Sequence, residues 1–330
     1  MARFRDKLRW LISLLVLIVV LLWIDPRQVL AQVASLHIGW LILALVVTLA
    51  QTLLSAWRWR FTAHRLGLIL SFRHALSDYY LACFANQTLP GGVLGDAWRA
   101  QRHANHSGQP GAAWRAVILE RACGQLLVIA LGLISLLSLA NGSNSESASL
   151  KLLRADSFLA WLLVGGAVMV LGLAARFALT HAKQRWPHLF TSFYSDLQAA
   201  VLAREAWPGQ LISSLLIVGS YCLVFALAGR AIGVEAPWLL LISAALPVLL
   251  AMLIPFSVAG WGWREAMAGG LWFSLGLPPE QGIAISISYG VIVFLGSAPG
   301  LLVWLAQPRT LANKNHAHHK DTGCTEKITK

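Results

Sequence analysis

Charged residues are scarce in this sequence, and their scarcity excludes an ordinary soluble domain. They make up 12% of the 330 residues, whereas 57% are hydrophobic and the mean hydropathy is +0.65. Soluble domains carry about 25% charged residues, so the composition indicates a polytopic membrane protein. Membrane topology also explains the net charge of +12 better than a nucleic-acid partner does, and we expect no such partner.

Cysteines and metal-ligand patterns are also nearly absent. The four cysteines have no paired spacing, so we interpret them as packing residues without a disulfide framework. The tail histidines His316, His318 and His319 have no acidic or cysteine partner at ligand spacing, which argues against a metal site. The sequence shows no P-loop, nucleotide-binding domain or nucleophile–base pair. We therefore expect no cofactor and no enzyme activity, and any transport should be passive or driven by gradients.

Apolar segments are abundant, and they lie near 9–24, 40–56, 77–89, 117–139, 158–178, 209–229, 238–254, 266–277 and 282–306. Three of them, 77–89, 238–254 and 266–277, are too short or too interrupted to span a bilayer comfortably. The first segment follows four basic residues and also resembles a secretory signal. We favour a retained helix because the run is long for a signal.

The distribution of basic residues predicts the topology. Twenty of the 26 lysines and arginines lie in 1–9, 57–75, 97–116, 176–207 and the tail after 307. Basic residues favour the cytoplasmic side, and one arrangement places all twenty there. The predicted fold class is therefore all-α, with about six spanning helices, two re-entrant hairpins entering from opposite faces, and cytoplasmic termini. The interleaved aromatic and charged residues of 179–208 predict an amphipathic helix on the cytoplasmic surface.

The two hairpin turns share a sequence pattern. "LPGGVLGDAWRA" and "IPFSVAGWGWREA" align with an offset of 165, which pairs Pro90 with Pro255, Gly95 with Gly260 and Arg99 with Arg264. This predicts an inverted repeat, an arrangement typical of transporters. The first repeat is 1–157 (spans 9–24, 40–56 and 117–139; hairpin 77–98). The second is 158–307 (spans 158–178, 209–229 and 282–306; hairpin 238–277), and 308–330 is a disordered tail.

The turn residues suggest an anion site at membrane depth. Proline ends each incoming arm, and Gly91, Gly92 and Gly262 allow close approach or positive φ. Exposed N–H groups at helix ends attract anions, and one arginine from each hairpin could hold a lipid phosphate. For Arg99 a role as a topological anchor stays open, and for Asp96 a role as a helix N-cap stays open.

A second group of ionisable residues lies near the start of the span 117–139. Glu120 and Arg121 are functional candidates because ionisable residues inside spans are costly. Neighbouring helical residues point about 100° apart, so we expect Glu120 to pair with Arg99 or Arg115 instead. A structural ion pair is the alternative, and Glu265 beside Arg264 has the same two interpretations.

These motifs resemble one membrane family. "NQTLPGGVLGDAWRA", "LERACG" and "IPFSVAGWGWREA" are similar to the signature stretches of the lysylphosphatidylglycerol synthase transmembrane (flippase-type) family, over about residues 8–307. The resemblance implies lipid handling, at Pro90, Gly95, Asp96, Arg99, Glu120, Arg121, Pro255, Gly260, Gly262, Arg264 and Glu265. The full synthases carry an aminoacyl-transferase domain after the membrane part. Only a short tail follows here, so we do not expect lysine transfer.

The leading hypothesis is a multi-pass carrier of the bacterial inner membrane for an anionic lipid or a lipid-linked sugar. A membrane-embedded lipid-modifying enzyme, with Asp96 or Glu120 as general base, is one alternative. An accessory subunit for lipid- or glycan-pathway enzymes is another. The sequence leaves open whether the protein forms a homodimer.

Overall fold

The structure, a computed structural model, describes residues 37–89, 92–142, 185, 187–253 and 259–306. In chain order its helices are α1 (Ile38–Arg65), α2 (Phe72–Thr88), α3 (Leu94–Ser107), α4 (Pro110–Gly142), α5 (Pro187–Leu197), a π-helical turn (Gln198–Leu202), α6 (Trp207–Ala231), α7 (Trp238–Ala251), α8 (Trp263–Ser274), α9 (Pro279–Ser297) and α10 (Pro299–Ala306). The described part contains no strand, which confirms the all-α prediction.

Helix boundaries coincide with ordinary start and stop signals. The hydroxyl of Ser71 caps α2 by accepting a hydrogen bond from the His74 amide. Gly108, with φ +67°, ends α3 in the left-handed conformation that glycine favours. Proline stands at the start of α4, α6, α9 and α10, where its missing N–H costs no helical hydrogen bond.

Four described segments are long and apolar enough to cross a membrane: Ile38–Arg65, Pro110–Leu136, Trp207–Ala231 and Pro279–Ala306. They correspond to four of the six predicted spans. The other two predicted spans, 9–24 and 158–178, lie outside the described residues, as does the tail 308–330. The protein is thus a multi-pass membrane protein, and the count of six spans stays a prediction.

Both predicted hairpins are pairs of short helices that pack against each other. The first consists of α2 and α3, and the second of α7 and α8. None of the four exceeds 17 residues, which is below the roughly 20 residues needed to cross a bilayer. The short lengths are compatible with re-entrant segments, although the membrane sidedness of both hairpins remains a prediction.

Two apolar cores hold the helices together. The larger is built mainly from α6, α7, α8 and α9, with Phe225 and Trp272 fully buried within it. The smaller joins the end of α1 to α2, α3 and the start of α4 around Trp59. Helix α1 packs along α6, and both contact α4, so these three long helices connect the two cores.

Two basic stretches between the predicted apolar segments are largely helical. The segment 57–75 was expected to be a cytoplasmic loop, but α1 continues to Arg65 and buries Arg58 inside the bundle. The segment 97–116 likewise belongs mostly to α3 and α4. Hydropathy marks only the apolar part of a helix, so a helix with a polar extension looks shorter than it is. The stretch 179–208 contains α5 and the π-helical turn, and its residues before 185 lie outside the described part.

Candidate functional site

A cavity of about 310 Å³ lies between the two helix pairs and the three long helices. Its wall combines apolar side chains with amides, hydroxyls and two arginines. The residues that line it include Thr48, Gln51, Thr52, Arg58, Tyr79, Asn86, Gln87, Gly92, Val93, Arg121, Gln125, Tyr221, Leu249, Met252, Leu253, Ala259, Gly260, Tyr289, Val293 and Ser297. None of the described residues that line it is acidic, which makes the cavity suited to anionic or neutral groups and unsuited to cations.

The breaks in both helix pairs contribute backbone to this wall. Gly92, with φ +61°, follows α2, and Gly260, with φ +81°, follows α7. Ala259 beside Gly260 also has a positive φ, of 51°, which is uncommon for a residue with a side chain. Irregular backbone at membrane depth requires protein or a water-filled cavity around it. Here both breaks meet the same cavity.

A buried ion-pair cluster lies against the cavity, and Glu120 is at its centre. One carboxylate oxygen of Glu120 accepts a hydrogen bond from Arg58 at 2.6 Å, and the other accepts one from Arg99 at 2.6 Å. Arg58 and Arg99 are 4% and 0% exposed, and Glu120 is 0% exposed. The Tyr79 hydroxyl also donates to Glu120, at 3.4 Å. The expected pairing of Glu120 with Arg99 is confirmed, whereas Arg115 instead pairs with Asp196.

Asp96 extends the cluster toward the cavity. It accepts hydrogen bonds from Arg99 at 2.9 Å, from Arg121 at 2.7 Å and from the side-chain amide of Asn86 at 3.0 Å. Burial raises the pKa of Asp96, but the guanidinium groups of Arg121 and Arg99 outweigh burial and hold that pKa below its ordinary value. The carboxylate therefore stays ionised.

The cluster has more positive than negative charge. Its three guanidinium groups face two carboxylates, which leaves one net positive charge inside the protein. Buried charges are normally paired because an uncompensated one is costly in a medium of low polarity. Arg121 has the most exposed of the three guanidinium side chains, at 33%, and it lines the cavity. A singly charged anion in the cavity would balance the cluster.

The second helix pair has a smaller buried ion pair. Nε of Arg264 donates to Glu265 at 2.5 Å, and Glu265 also accepts bonds from the Gly262 amide and the Ser286 hydroxyl. The guanidinium of Arg264 lies 3.9 Å from the centre of the Trp261 ring. An added Cβ at Gly290 would overlap the Arg264 guanidinium, so α9 needs glycine there. Neither Arg264 nor Glu265 lines the cavity.

The structure brings only some of the predicted site residues to the cavity. Gly92, Arg121 and Gly260 line it. Asp96, Arg99 and Glu120 lie behind its wall in the ion-pair cluster, and Gly95 packs against the backbone of Ala82. Gly262 binds Glu265 through its amide. Pro90, Gly91 and Pro255 lie outside the described residues.

Asp96 is not the N-cap of α3, which corrects one of the two interpretations of that residue. Val93 holds the N-cap position and makes no side-chain cap bond. Asp96 lies in the first helical turn, where a negative charge still interacts favourably with the helix dipole. Its carboxylate binds arginines and the amide of Asn86, and the side-chain oxygen of Asn86 in turn accepts the Gly95 amide at 2.8 Å.

The aligned turn positions differ in backbone conformation. Gly95 lies within α3, whereas its counterpart Gly260 precedes α8 with a positive φ. Arg99 is in the second turn of α3, whereas Arg264 is in the first turn of α8. The two arginines therefore do not occupy equivalent places in their helices, and the inverted repeat stays a prediction.

Arg58 belongs to the ion-pair cluster, and sequence reasoning missed it. It was counted among the loop charges, but polar residues recur toward it along α1 at helical spacing: Thr48, Gln51, Thr52, Ser55, Arg58 and Thr62 are all buried. Such a stripe indicates a helix face turned toward a polar interior. The sequence itself shows this stripe when the helix is extended past Ala56.

Comparison with known proteins agrees with the motif resemblance. No curated protein and no solved structure matches the chain significantly. The sequence model described as the lysylphosphatidylglycerol synthase TM region matches residues 10–300, which includes both helix pairs, the ion-pair cluster and the first apolar run. The chain therefore belongs to the lysylphosphatidylglycerol synthase TM region family.

Proposed function

We propose that this protein is a carrier that moves an anionic lipid, or a lipid-linked sugar with an anionic linkage, across the bacterial inner membrane. The observation that carries the proposal is the cavity, which both helix breaks reach and which adjoins a buried cluster with one net positive charge. A lipid phosphodiester carries a single negative charge, so one headgroup would neutralise the cluster. The apolar part of the wall, including Leu249 and Val293, suits the beginning of acyl chains.

In this proposal the three arginines have different roles. Arg121 contacts the headgroup phosphate, since its side chain is part of the wall. Arg58 also lines the cavity but is held by Glu120 and by the Ser214 hydroxyl. Arg99 is a positioning residue, because its guanidinium is engaged by Asp96 and Glu120 and lies over the rings of Trp59 and Tyr79.

The amides and hydroxyls of the wall suit a polar, uncharged group beyond the phosphate. Gln51, Gln87 and Gln125 offer both donors and acceptors, as sugar or polyol hydroxyls require. Movement across the membrane would come from one helix pair rocking against the other around this cavity.

The same geometry favours a carrier over a lipid-modifying enzyme. Asp96 and Glu120 each bind two guanidinium groups, and neither lines the cavity. A general base must reach the proton that it abstracts, directly or through one water. These carboxylates are better suited to holding arginines in place.

The test uses full-length protein in liposomes with a trace of fluorescently labelled phosphatidylglycerol. Dithionite added outside bleaches only outer-leaflet label, so the amount bleached over time reports movement from the inner leaflet. We expect movement well above that of protein-free liposomes, and far less for a labelled zwitterionic lipid. Equal movement of the two lipids, or none, would contradict the proposal.

Arg121→Gln should slow this movement at least about tenfold, because a hydrogen bond to a charged group is lost. The matched control is Arg115→Gln, which lies on the same helix and also loses a carboxylate partner, Asp196, but does not line the cavity. The control should keep nearly full activity. A similar loss in both variants would show that the effect comes from stability and not from headgroup contact.

A further inference from the structure

A second cavity, of about 70 Å³, lies beside the first helix pair and shares no lining residue with the main cavity. Its wall comes from the α1–α2 loop, the start of α2 and the second half of α3, and it is lined by Ile69, Leu70, Ser71, His74, Asp78, Arg102, His103 and His106. His74 and His106 are exposed at its mouth, whereas Asp78 and His103 are 5% and 3% exposed at its base.

The groups at the base make few hydrogen bonds within the described part of the chain. Both ring nitrogens of His103 are buried without a hydrogen bond, and one buried carboxylate oxygen of Asp78 has only an ion pair with the Arg102 guanidinium, at 3.4 Å. Buried polar groups are rarely left unsatisfied, so such a group requires a functional or solvent explanation. The cavity has room for a few waters, which need polar partners of this kind. No set of three metal-ligating side chains occurs in the described residues, which argues against a cation.

His103 is physically connected to the ion-pair cluster. It lies one helical turn after Arg99 on α3, so the two side chains share a face. The Trp59 ring contacts both, with its centre 4.6 Å from the Arg99 guanidinium and 5.7 Å from the centre of the His103 ring. On α2, Asp78 precedes Tyr79, whose ring is 4.6 Å from the same guanidinium. A charge at His103 therefore acts on the cluster across a single layer of side chains.

We propose that the second cavity is a proton-binding site, with His103 as the acceptor, whose occupancy is coupled to anion binding in the main cavity. The inference rests on the proposed carrier function. Protonation converts the neutral imidazole of His103 to imidazolium, with the proton delivered by water through the mouth of the cavity. One proton bound with one phosphodiester leaves the complex with the same charge as the empty carrier.

Other charged groups set the electrostatic background at His103. On α3 these groups are Arg99, Arg102 and His106, and on α2 they are His74 and Asp78. A guanidinium nitrogen of Arg102 lies 3.4 Å from a carboxylate oxygen of Asp78. On α1, Arg60 and His64 hydrogen-bond to the carbonyl of Leu70 in the loop that borders the cavity. Burial lowers the pKa of His103 and raises the pKa of Asp78 from their ordinary values.

The coupling has a definite direction. The empty carrier should protonate His103 only below the ordinary histidine pKa of about 6.5. A bound anion attracts the added positive charge, so it should raise the pKa of His103 and cause proton uptake. By reciprocity, protonation should strengthen anion binding by the same factor, for which about tenfold is typical.

The experiment measures lipid movement at pH 6 and at pH 8, equal on both sides, in liposomes that contain the full-length protein and labelled phosphatidylglycerol. At a lipid concentration below saturation, we expect movement at pH 6 to exceed that at pH 8 by up to about tenfold. His103→Gln should move the lipid without this pH dependence, because glutamine does not titrate. The matched control is His188→Gln, an exposed histidine of α5, which should behave as the unmodified protein.

Proton uptake gives a second readout that does not depend on transport. Short-chain dihexanoyl phosphatidylglycerol is added to the detergent-solubilised protein in weak buffer near pH 6.5, and the pH change is recorded. The unmodified protein and His188→Gln should take up protons, and His103→Gln should not. Uptake in His103→Gln equal to that of the unmodified protein would overturn the proton site, whether or not transport is seen.

The two proposals fail in different ways. Movement of lipid that does not depend on pH, or a pH dependence that His103→Gln retains, contradicts the proton site and leaves the carrier intact. No movement in any variant, together with no binding of the short-chain lipid, contradicts the carrier function and with it the coupled proton.

Discussion

At the residue scale, the site depends on how charges are paired inside the protein. Glu120 holds Arg58 and Arg99 together, and Asp96 holds Arg99 and Arg121. Removing one member of a buried pair is costly mainly because the remaining charge stays buried without compensation. The residues that hold the cluster in shape are therefore distinct from Arg121, which is the one most available to a ligand.

We expect Glu120→Gln to destabilise the protein by about 3–5 kcal/mol, since two arginines lose their shared carboxylate. Thermal unfolding in detergent, followed by intrinsic fluorescence, would measure the change. Glu205→Gln is the control, because Glu205 is 83% exposed in its pair with Arg65 and such surface pairs contribute about 1 kcal/mol or less. Equal effects of the two substitutions would show that the cluster does not contribute to stability as described.

At the scale of elements, the two helix pairs depend on close approach of backbones. Gly95 in α3 lies against the backbone of Ala82 in α2, and a Cβ at Gly95 would overlap the Ala82 carbonyl. This contact keeps α2 and α3 close enough for Asn86 to bind both the Gly95 amide and Asp96. The geometry of the ion-pair cluster is thus set in part by one glycine that carries no charge.

Gly95→Ala should force the two helices apart and cost about 1–3 kcal/mol, as overpacking generally does. It should also reduce lipid movement, because Asp96 and its arginines shift with α3. The control is Gly219→Ala on α6, where an added Cβ meets nothing within 4 Å and alanine is the better helix former. Unfolding temperature and lipid movement would be measured for both. Unchanged behaviour of Gly95→Ala would contradict the close contact.

At the scale of the whole molecule, topology determines whether the cavity can open alternately to both faces. The described helices include four candidate spans and two pairs of helices too short to cross a bilayer. The distribution of basic residues predicts that α2 and α3 enter and leave on the cytoplasmic side, whereas α7 and α8 do so on the opposite side. Under this arrangement the two breaks approach the cavity from opposite faces.

Single-cysteine labelling in a background without native cysteines tests this topology. We expect Arg73→Cys and Asn105→Cys, at the outer ends of α2 and α3, to react only with reagents on the cytoplasmic side. Glu235→Cys and Pro278→Cys, which flank the second pair, should react only from the opposite side. All four positions are exposed on the protein. If either pair is divided between the two sides, that helix pair crosses the membrane and the opposed arrangement is wrong.

The sequence by itself determined the membrane class, the all-helical architecture, the family and the places where helices break. These features depend on local composition and on Gly and Pro, whose conformational preferences act without tertiary context. A pairing of Glu120 with Arg99 or Arg115 was also predicted, because a carboxylate inside a span needs a cation nearby, and the structure has Arg99. The positive φ of Gly92 and of Gly260 likewise reflects the conformational preference of glycine itself.

Only the tertiary structure decided which arginines reach the cavity. Arg99 and Arg264 looked equivalent in sequence, yet both are engaged by carboxylates away from the cavity, whereas Arg58 and Arg121 line it. It also placed Asp78 and His103 together at a second cavity. The direction in which a long side chain points depends on the packing of helices distant in sequence, here α1 against α6 and α4, and no local pattern records that packing.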